Sequence, residues 1–383
     1  MRRQLGAVLM TVGLGLAVAG PATAASAVPP FDGLEYVALG DSYSAGFGLL
    51  PVVPGSPDGC YRAEQNYPHR VATQLGLALT DMTCSGAVTA NIDLLGQTTM
   101  NGVGPLPLQG SALSATTDIV TLTIGGNDLG FATVAETCIR LTASDTHPLL
   151  LPSTYPNCKD FYNPLPNVDQ LIFKLDNTVG PALERVFGYI ATQAPNAKVF
   201  VLGYPQIAPD FATAPTGCYS SPIGPTWPNP PFPQNTVPYS TIDVHYLHHI
   251  ESEMDDAIQT ASDAHGFTFI PTWSATEEHT VCSSDPYIFG VGFTNNPADG
   301  TPIALGLYTT LGALHPNEEG VPFMASEAVA AMAGHPAFGS ALPGSGKPEI
   351  AATGYDGTPL ALVGVGIALV GFVLVAARRR RVA

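Results

Sequence analysis

A serine set among small residues is the first chemical signal in this chain. The block Gly40-Asp41-Ser42-Tyr43-Ser44-Ala45-Gly46 comes straight after a short apolar run, residues 34–39. A glycine-rich turn at the end of a buried strand exposes a side chain and bares backbone N–H groups around it, which suits an oxyanion. Serine is a poor nucleophile until a neighbouring imidazole takes its proton. Leu314-His315-Pro316-Asn317 offers that imidazole at the start of the last helical pattern. Two further blocks lie between. Cys84-Ser85-Gly86-Ala87 follows another presumed strand and has a backbone N–H at Gly86, and Gly125-Gly126-Asn127-Asp128 offers the Asn127 carboxamide as a donor. Taken singly, each is a common turn sequence.

The elements needed to position these blocks are visible in the pattern. Residues 34–39, 119–124, 197–202 and 267–270 read as short buried strands, the second, third and fourth ending at Gly125, at Gly203 and beside Pro271. Residues 67–77, 168–193, 244–264 and 318–333 have helical spacing, the second with Leu171, Leu175, Leu183, Val186 and Ile190 on one side. Strands alternating with helices predict an α/β fold with a parallel sheet, whose functional residues collect at the carboxyl ends of the strands. Residues 51–61, 141–166 and 208–238 break the rhythm. They are rich in Pro and Gly, cysteines sit in or beside each, and they read as loop insertions held down by disulfides.

The two ends read as processing segments. Arg2 and Arg3 precede the apolar residues 5–20, and small residues around 22–27 offer a cleavage site, the order of a signal peptide over residues 1–27. Residues 341–359 form a Gly/Pro-rich linker, and residues 360–377 are 18 consecutive apolar residues followed by four arginines within the basic tail 378–383. At roughly 1.5 Å rise per residue such a run just spans a bilayer, with the arginines cytoplasmic. Residues 28–340 then fit one large domain. Removing the six terminal arginines from the 14 Lys and Arg leaves 8 against nearly all 31 acidic residues. A domain so acidic is a poor partner for nucleic acid or an anionic membrane surface. Six cysteines, an even count in an exported chain, predict three disulfides.

The four blocks G-D-S-Y-S-A-G, C-S-G-A, G-G-N-D and H-P-N, in this order, resemble the four signature blocks of the SGNH (GDSL-type) hydrolases. The resemblance runs from about Tyr36 to Ala333. It is closest to the secreted actinobacterial lipases and esterases of that family, which also carry six cysteines. It implies a three-layer α/β/α sandwich around a flavodoxin-like parallel sheet, acting as a monomer without cofactor or metal. Ser42 would be nucleophile and oxyanion donor, Gly86 and Asn127 the other oxyanion donors, and His315 the general base. Many members carry an Asp three residues before the histidine. Here that position is Gly312, whose main-chain carbonyl is then the expected orienting group, as in some actinobacterial relatives; Asp41 is the rival, and Asp128 is expected to fix its loop. The family pattern also implies the pairs Cys60–Cys84, Cys138–Cys158 and Cys218–Cys282.

The resemblance points to cleavage of esters of acyl lipids or acyl glycerols. Two rivals stand beside it: removal of acetyl groups from glycans by the same machinery, and a non-catalytic wall protein on this scaffold. Ile350-Ala351-Ala352-Thr353-Gly354, ahead of the apolar run, resembles a sortase sorting signal of the L-A-x-T-G form. It implies sortase and peptidoglycan as partners, cleavage between Thr353 and Gly354, and a cell-surface location; a plain membrane anchor is the alternative. His245, His248 and His249 have spacing some metal ligands share but read as a solvated helix face. His279 resembles the family's H-x-x-C element beside the last disulfide and is expected to pack, while Trp273 and Tyr287 read equally as acyl-pocket lining or core.

Overall fold

Five short strands build the central sheet, the three inner ones largely apolar. In the computed structural model, which describes residues 31–303 and 307–338, they are β1 (Glu35–Gly40), β2 (Ala78–Asp81), β3 (Ile119–Thr123), β4 (Lys198–Leu202) and β5 (Thr268–Ile270). All pair in parallel, in the order β2-β1-β3-β4-β5. β3 is buried throughout and β1 in all but Glu35, as strands covered on both faces must be. The chain moves one way along the sheet from β1 to β2 and the other way from β3 to β4 and β5. Right-handed crossovers then put the connecting helices on opposite faces, giving three layers. The reversal lies between β1 and β3, whose ends are level because Gly40 pairs with Thr123. Such a switch point is where this architecture opens a crevice.

The helices follow from local signals. Asn66 caps Tyr67–Leu75 by accepting from the His69 N–H at 2.9 Å, Tyr67, Val71 and Leu75 face inward, and Gly76 ends the helix in the left-handed region. This helix packs on Gly320–Gly334, which also lies against β4 and β5. On the other face Gly180–Gln193 packs on Thr241–Ala264, capped by Ser240. The single helix expected over residues 168–193 runs unbroken from Gln170 to Gln193, with a π-helical turn at Leu175–Val179 between Gln170–Lys174 and Gly180–Gln193. Pro181 has no N–H to give to the preceding turn, and the ladder widens there.

A small antiparallel sheet, β6 (Phe293–Thr294), β7 (Gly300–Pro302) and β8 (Tyr308–Thr310) in the order β6-β8-β7, has no counterpart in the sequence reading. Strands of two and three residues are too short to show a period. Disulfides join Cys60 to Cys84, Cys138 to Cys158 and Cys218 to Cys282, the partners the family pattern implies, and fasten the three irregular segments. Among the described residues no helix is long and apolar enough to cross a membrane. The expected signal peptide, the linker with Thr353 and Gly354, the apolar run and the basic tail lie outside the described residues.

Candidate active site

Gly40 ends β1 with φ +126°, and a Cβ there would meet Ser44 Oγ at 2.5 Å and the Thr123 carbonyl at 2.6 Å. Only glycine lets the chain turn so tightly against β3. Asp41 then caps the four-residue helix Ser42–Ala45, its Oδ1 accepting from the Tyr43 N–H at 3.0 Å. Ser42 thereby sits in the first position of a helical turn, its own N–H without a partner among the described residues.

The histidine arrives from the far end of the chain. Gly312 and Leu314 both take positive φ, +85° and +61°, and the His315 N–H closes this turn on the Gly312 carbonyl at 2.9 Å. The turn is pressed against the nucleophile loop: a Cβ on Gly48 would lie 2.4 Å from Gly312 Cα. Tyr43 donates to the Leu314 carbonyl at 2.6 Å, and the imidazole lies between Tyr43 and Phe47, 4.7 and 5.0 Å away. His315 Nε2 is 2.8 Å from Ser42 Oγ. Nδ1 faces the Ala313 carbonyl at 2.8 Å. The orienting carbonyl is therefore that of Ala313 and not of Gly312, because the Gly312 oxygen is taken by the His315 backbone and the left-handed Leu314 turns the ring toward the next carbonyl. Burial pushes His315 down to about 4, against the Ala313 contact, so the ring is a neutral base at pH 7.

Gly86 (φ +80°) and Asn127 line the same cavity as Ser42 and His315. The Gly86 N–H has no partner among the described residues. Asn127 Nδ2 gives one hydrogen to the Ala87 carbonyl at 2.9 Å, which fixes the carboxamide and leaves its other hydrogen available. Asp128 accepts from Thr89 N and Oγ1 at 2.9 and 2.7 Å and so ties its loop to the one carrying Gly86. Asp41 does not reach the imidazole. Its Oδ2 accepts from the Tyr204 hydroxyl at 2.5 Å, and that hydroxyl in turn accepts from the Gly126 N–H at 2.8 Å. Tyr204, on the loop after β4, thus links the Ser42 turn to the Asn127 turn. Sequence reasoning missed it, although Gly203-Tyr204-Pro205 marked the turn. Burial pushes Asp41 up to about 7, opposed by the bonds from Tyr204 and Tyr43.

A serine hydroxyl against a neutral, backbone-oriented imidazole, with three N–H donors on one cavity wall, is equipped for acyl transfer. Residues 38–321 match the GDSL-like lipase/acylhydrolase family. The chain belongs to that family. It is an ester hydrolase of the GDSL type. It is 35% identical to lipase 2 of Streptomyces coelicolor over 300 residues, 76% of this chain and 89% of that one. Against an esterase of Streptomyces scabiei it is 31% identical over 298 residues, covering 73% and 81%. The crystal structure of phospholipase A1 from Streptomyces albidoflavus shares the fold, with a TM-score of 0.51 at 23% identity over 78% of this chain and 98% of that one. The extracellular lipase of Streptomyces rimosus does so too, at 0.51 and 23%, covering 81% and 100%.

The remaining histidines of this GDSL hydrolase sit apart from the serine. His245 and His248 are half-buried and bond the Ala214 and Ala208 carbonyls, pinning the 208–238 insertion, while only His249 is well exposed, beside Glu253. They are thus less solvated than their spacing suggests. Among the described residues no cluster suited to a metal ion occurs. His279 stacks on Tyr287, ring centroids 3.7 Å apart. Trp273 lines the cavity and Tyr287 does not.

Proposed function

We propose that this protein is a secreted serine hydrolase, held at the cell surface, that cleaves carboxylic esters of acyl lipids or acyl glycerols through an acyl-enzyme on Ser42. The observation that carries the reading is the 2.8 Å contact from His315 Nε2 to Ser42 Oγ at a cavity of about 240 Å³ lined by Phe131, Ile139, Ile207 and Met254. In the first half-reaction Ser42 Oγ attacks the ester carbonyl carbon while its proton passes to His315 Nε2. The negative oxygen meets the N–H groups of Ser42, Gly86 and Asn127. The ester C–O bond then breaks, and His315 returns the proton to the departing alkoxide. Water repeats the sequence on the acyl-enzyme and frees the acid.

The apolar cavity favours acyl chains longer than acetyl. A series of 4-nitrophenyl esters from acetyl to palmitoyl tests this, with fluorophosphonate labelling of Ser42 in parallel. Rising kcat/KM beyond acetyl, and loss of both label and turnover in Ser42→Ala, are expected. An acetyl ester cleaved best would favour glycan deacetylation instead, and turnover retained in Ser42→Ala above about a thousandth would remove Ser42 from the mechanism.

Export is supported by the three disulfides, which persist in an oxidising compartment. Surface attachment rests on residues 350–354 and the apolar run behind them. If a sortase joins Thr353 to peptidoglycan, hot detergent leaves the protein in the wall until a muramidase releases it, and Thr353→Ala diverts it. Full-length chain in the detergent phase would indicate a membrane anchor.

A further inference from the structure

The stretch from Leu94 to Thr117 holds no charged residue, yet its two glutamines are buried against the turns that form the site. Gln109 clamps the backbone of Gly40, its Oε1 accepting from the N–H at 2.8 Å and its Nε2 donating to the carbonyl at 3.0 Å. Gln97 makes a different bond. Its Nε2 donates to the Ser85 carbonyl at 2.8 Å, and no other group among the described residues bonds that oxygen. Its Oε1 has no partner, so this one bond is what orients the carboxamide.

The Ser85 carbonyl belongs to the same peptide unit as the Gly86 N–H. That unit is planar and trans, so its C=O and N–H point opposite ways. Fixing the oxygen on Gln97 aims the hydrogen to the other side, where Gly86 lines the cavity and its N–H is unpartnered among the described residues. The turn does not choose this orientation alone. The Ala87 N–H closes on the Cys84 carbonyl at 3.1 Å, with Ser85 and Gly86 in the middle and φ +80° at Gly86. A positive φ at the third residue marks the type II form. The commoner type I form differs by rotating the central peptide roughly half a turn, which would carry the Gly86 N–H away from Ser42. Glycine adopts either sign of φ, so an outside contact must decide.

The neighbouring restraints stop short of that peptide. The Cys60–Cys84 disulfide and the Ser85 N–H, bonded to the Cys60 carbonyl at 3.0 Å, hold the residues before it. Gln97 is itself well placed to act. It is 6% exposed, and its own carbonyl accepts from the Leu106 N–H at 2.8 Å, which closes the base of its loop.

We propose that Gln97 is a positioning residue that locks the Ser85–Gly86 peptide in the orientation presenting the Gly86 N–H to the oxyanion. The proposal deepens the acyl-enzyme reading and rests on it. Gln97 does not line the cavity, so it acts through that peptide alone.

Gln97→Met keeps the length of the side chain and removes the donor, which frees the peptide to flip. We expect kcat to fall about tenfold or more, toward the roughly 10²–10³ of a lost oxyanion donor, with KM little changed. Gln97→Asn, a methylene too short to reach the Ser85 carbonyl, should behave alike and serves if the methionine variant does not fold. Thr99→Val cuts the same loop's bonds to the Asp58 carbonyl and the Val103 N–H, and should lower the melting temperature while leaving kcat unchanged. Selective isotopic labelling of the Gly86 amide gives the direct readout. When an alkyl trifluoromethyl ketone forms its hemiketal with Ser42, the Gly86 amide resonance should shift in the wild type and lose that shift in the Gln97 variants. An unchanged kcat in those variants, an equal loss in Thr99→Val, or a Gly86 resonance that responds as in the wild type would each overturn the proposal while leaving ester hydrolysis intact. A wild-type enzyme that cleaves no ester would instead remove the reading on which the proposal rests.

Discussion

The imidazole of His315 is oriented by the main-chain carbonyl of Ala313, 2.8 Å from Nδ1. A carbonyl can only accept, so Nδ1 carries the proton and Nε2 presents its lone pair to Ser42 Oγ. The third partner of the triad is thus a backbone group that no side-chain substitution removes. His315→Ala should abolish turnover, while Asp41→Asn and Asp128→Asn keep most of it where they fold. A kcat loss of about 10⁴ in Asp41→Asn at unchanged melting temperature would make Asp41 the orienting group after all.

Asn127 is held by its bond to Ala87, with one hydrogen to spare. Removing a fixed oxyanion donor costs roughly 10²–10³ in kcat. Asn127→Ala should show that loss with KM little changed. A rise in KM alone would mean that the carboxamide positions substrate in the ground state only.

Since burial holds His315 down to about 4, the base stays neutral well below pH 6.5. The acid limb of kcat/KM should fall with a midpoint nearer 4 than 6.5. Turnover of an ester with no ionisable group, followed from pH 3 to 8, reads it directly. A midpoint at 6.5 would show an imidazole as solvated as a free one.

The two ends of this machinery were legible to different degrees. The Ser42 turn was readable because Gly40, Asp41 and Ser42 each have a residue-specific task there. The choice of Ala313 over Gly312 was not, since it depends on a positive φ at Leu314, a residue type that gives no sign of it. Tyr204 was hidden for another reason. Its partner Asp41 lies 163 residues away, and local pattern carries no information at that range. The inner strands of the parallel sheet were recoverable from their apolar runs and the helix from its spacing over residues 168–193, whereas the π-helical turn inside that helix, beside Pro181, was not.

Tyr204 should behave as a positioning residue. Tyr204→Phe removes the bond to Asp41 and leaves the Gly126 N–H unpaired, loosening the Ser42 turn relative to the Asn127 turn. We expect kcat to fall about tenfold with KM nearly constant, and stability to fall by about 1–3 kcal/mol. An unchanged kcat with lowered stability would restrict the hydroxyl to holding the fold.

Stability should be greater in mild acid than in mild base. Burial pushes Asp41 and Asp255 up to about 7 and Glu251 to about 8. A carboxyl raised in the folded state binds a proton there that the unfolded chain has already released. Its contribution is complete below its unfolded value, near 4, and is lost as pH rises through the folded one. His315, lowered to about 4, acts in the opposite sense, but only between about 4 and 6.5. Above 6.5 the carboxyls are unopposed. The melting temperature should therefore decline from pH 6.5 to 8.5, and Glu251→Gln, which cannot ionise, should flatten that decline. A melting temperature constant or rising over this range would mean that all three carboxyls are as well solvated folded as unfolded.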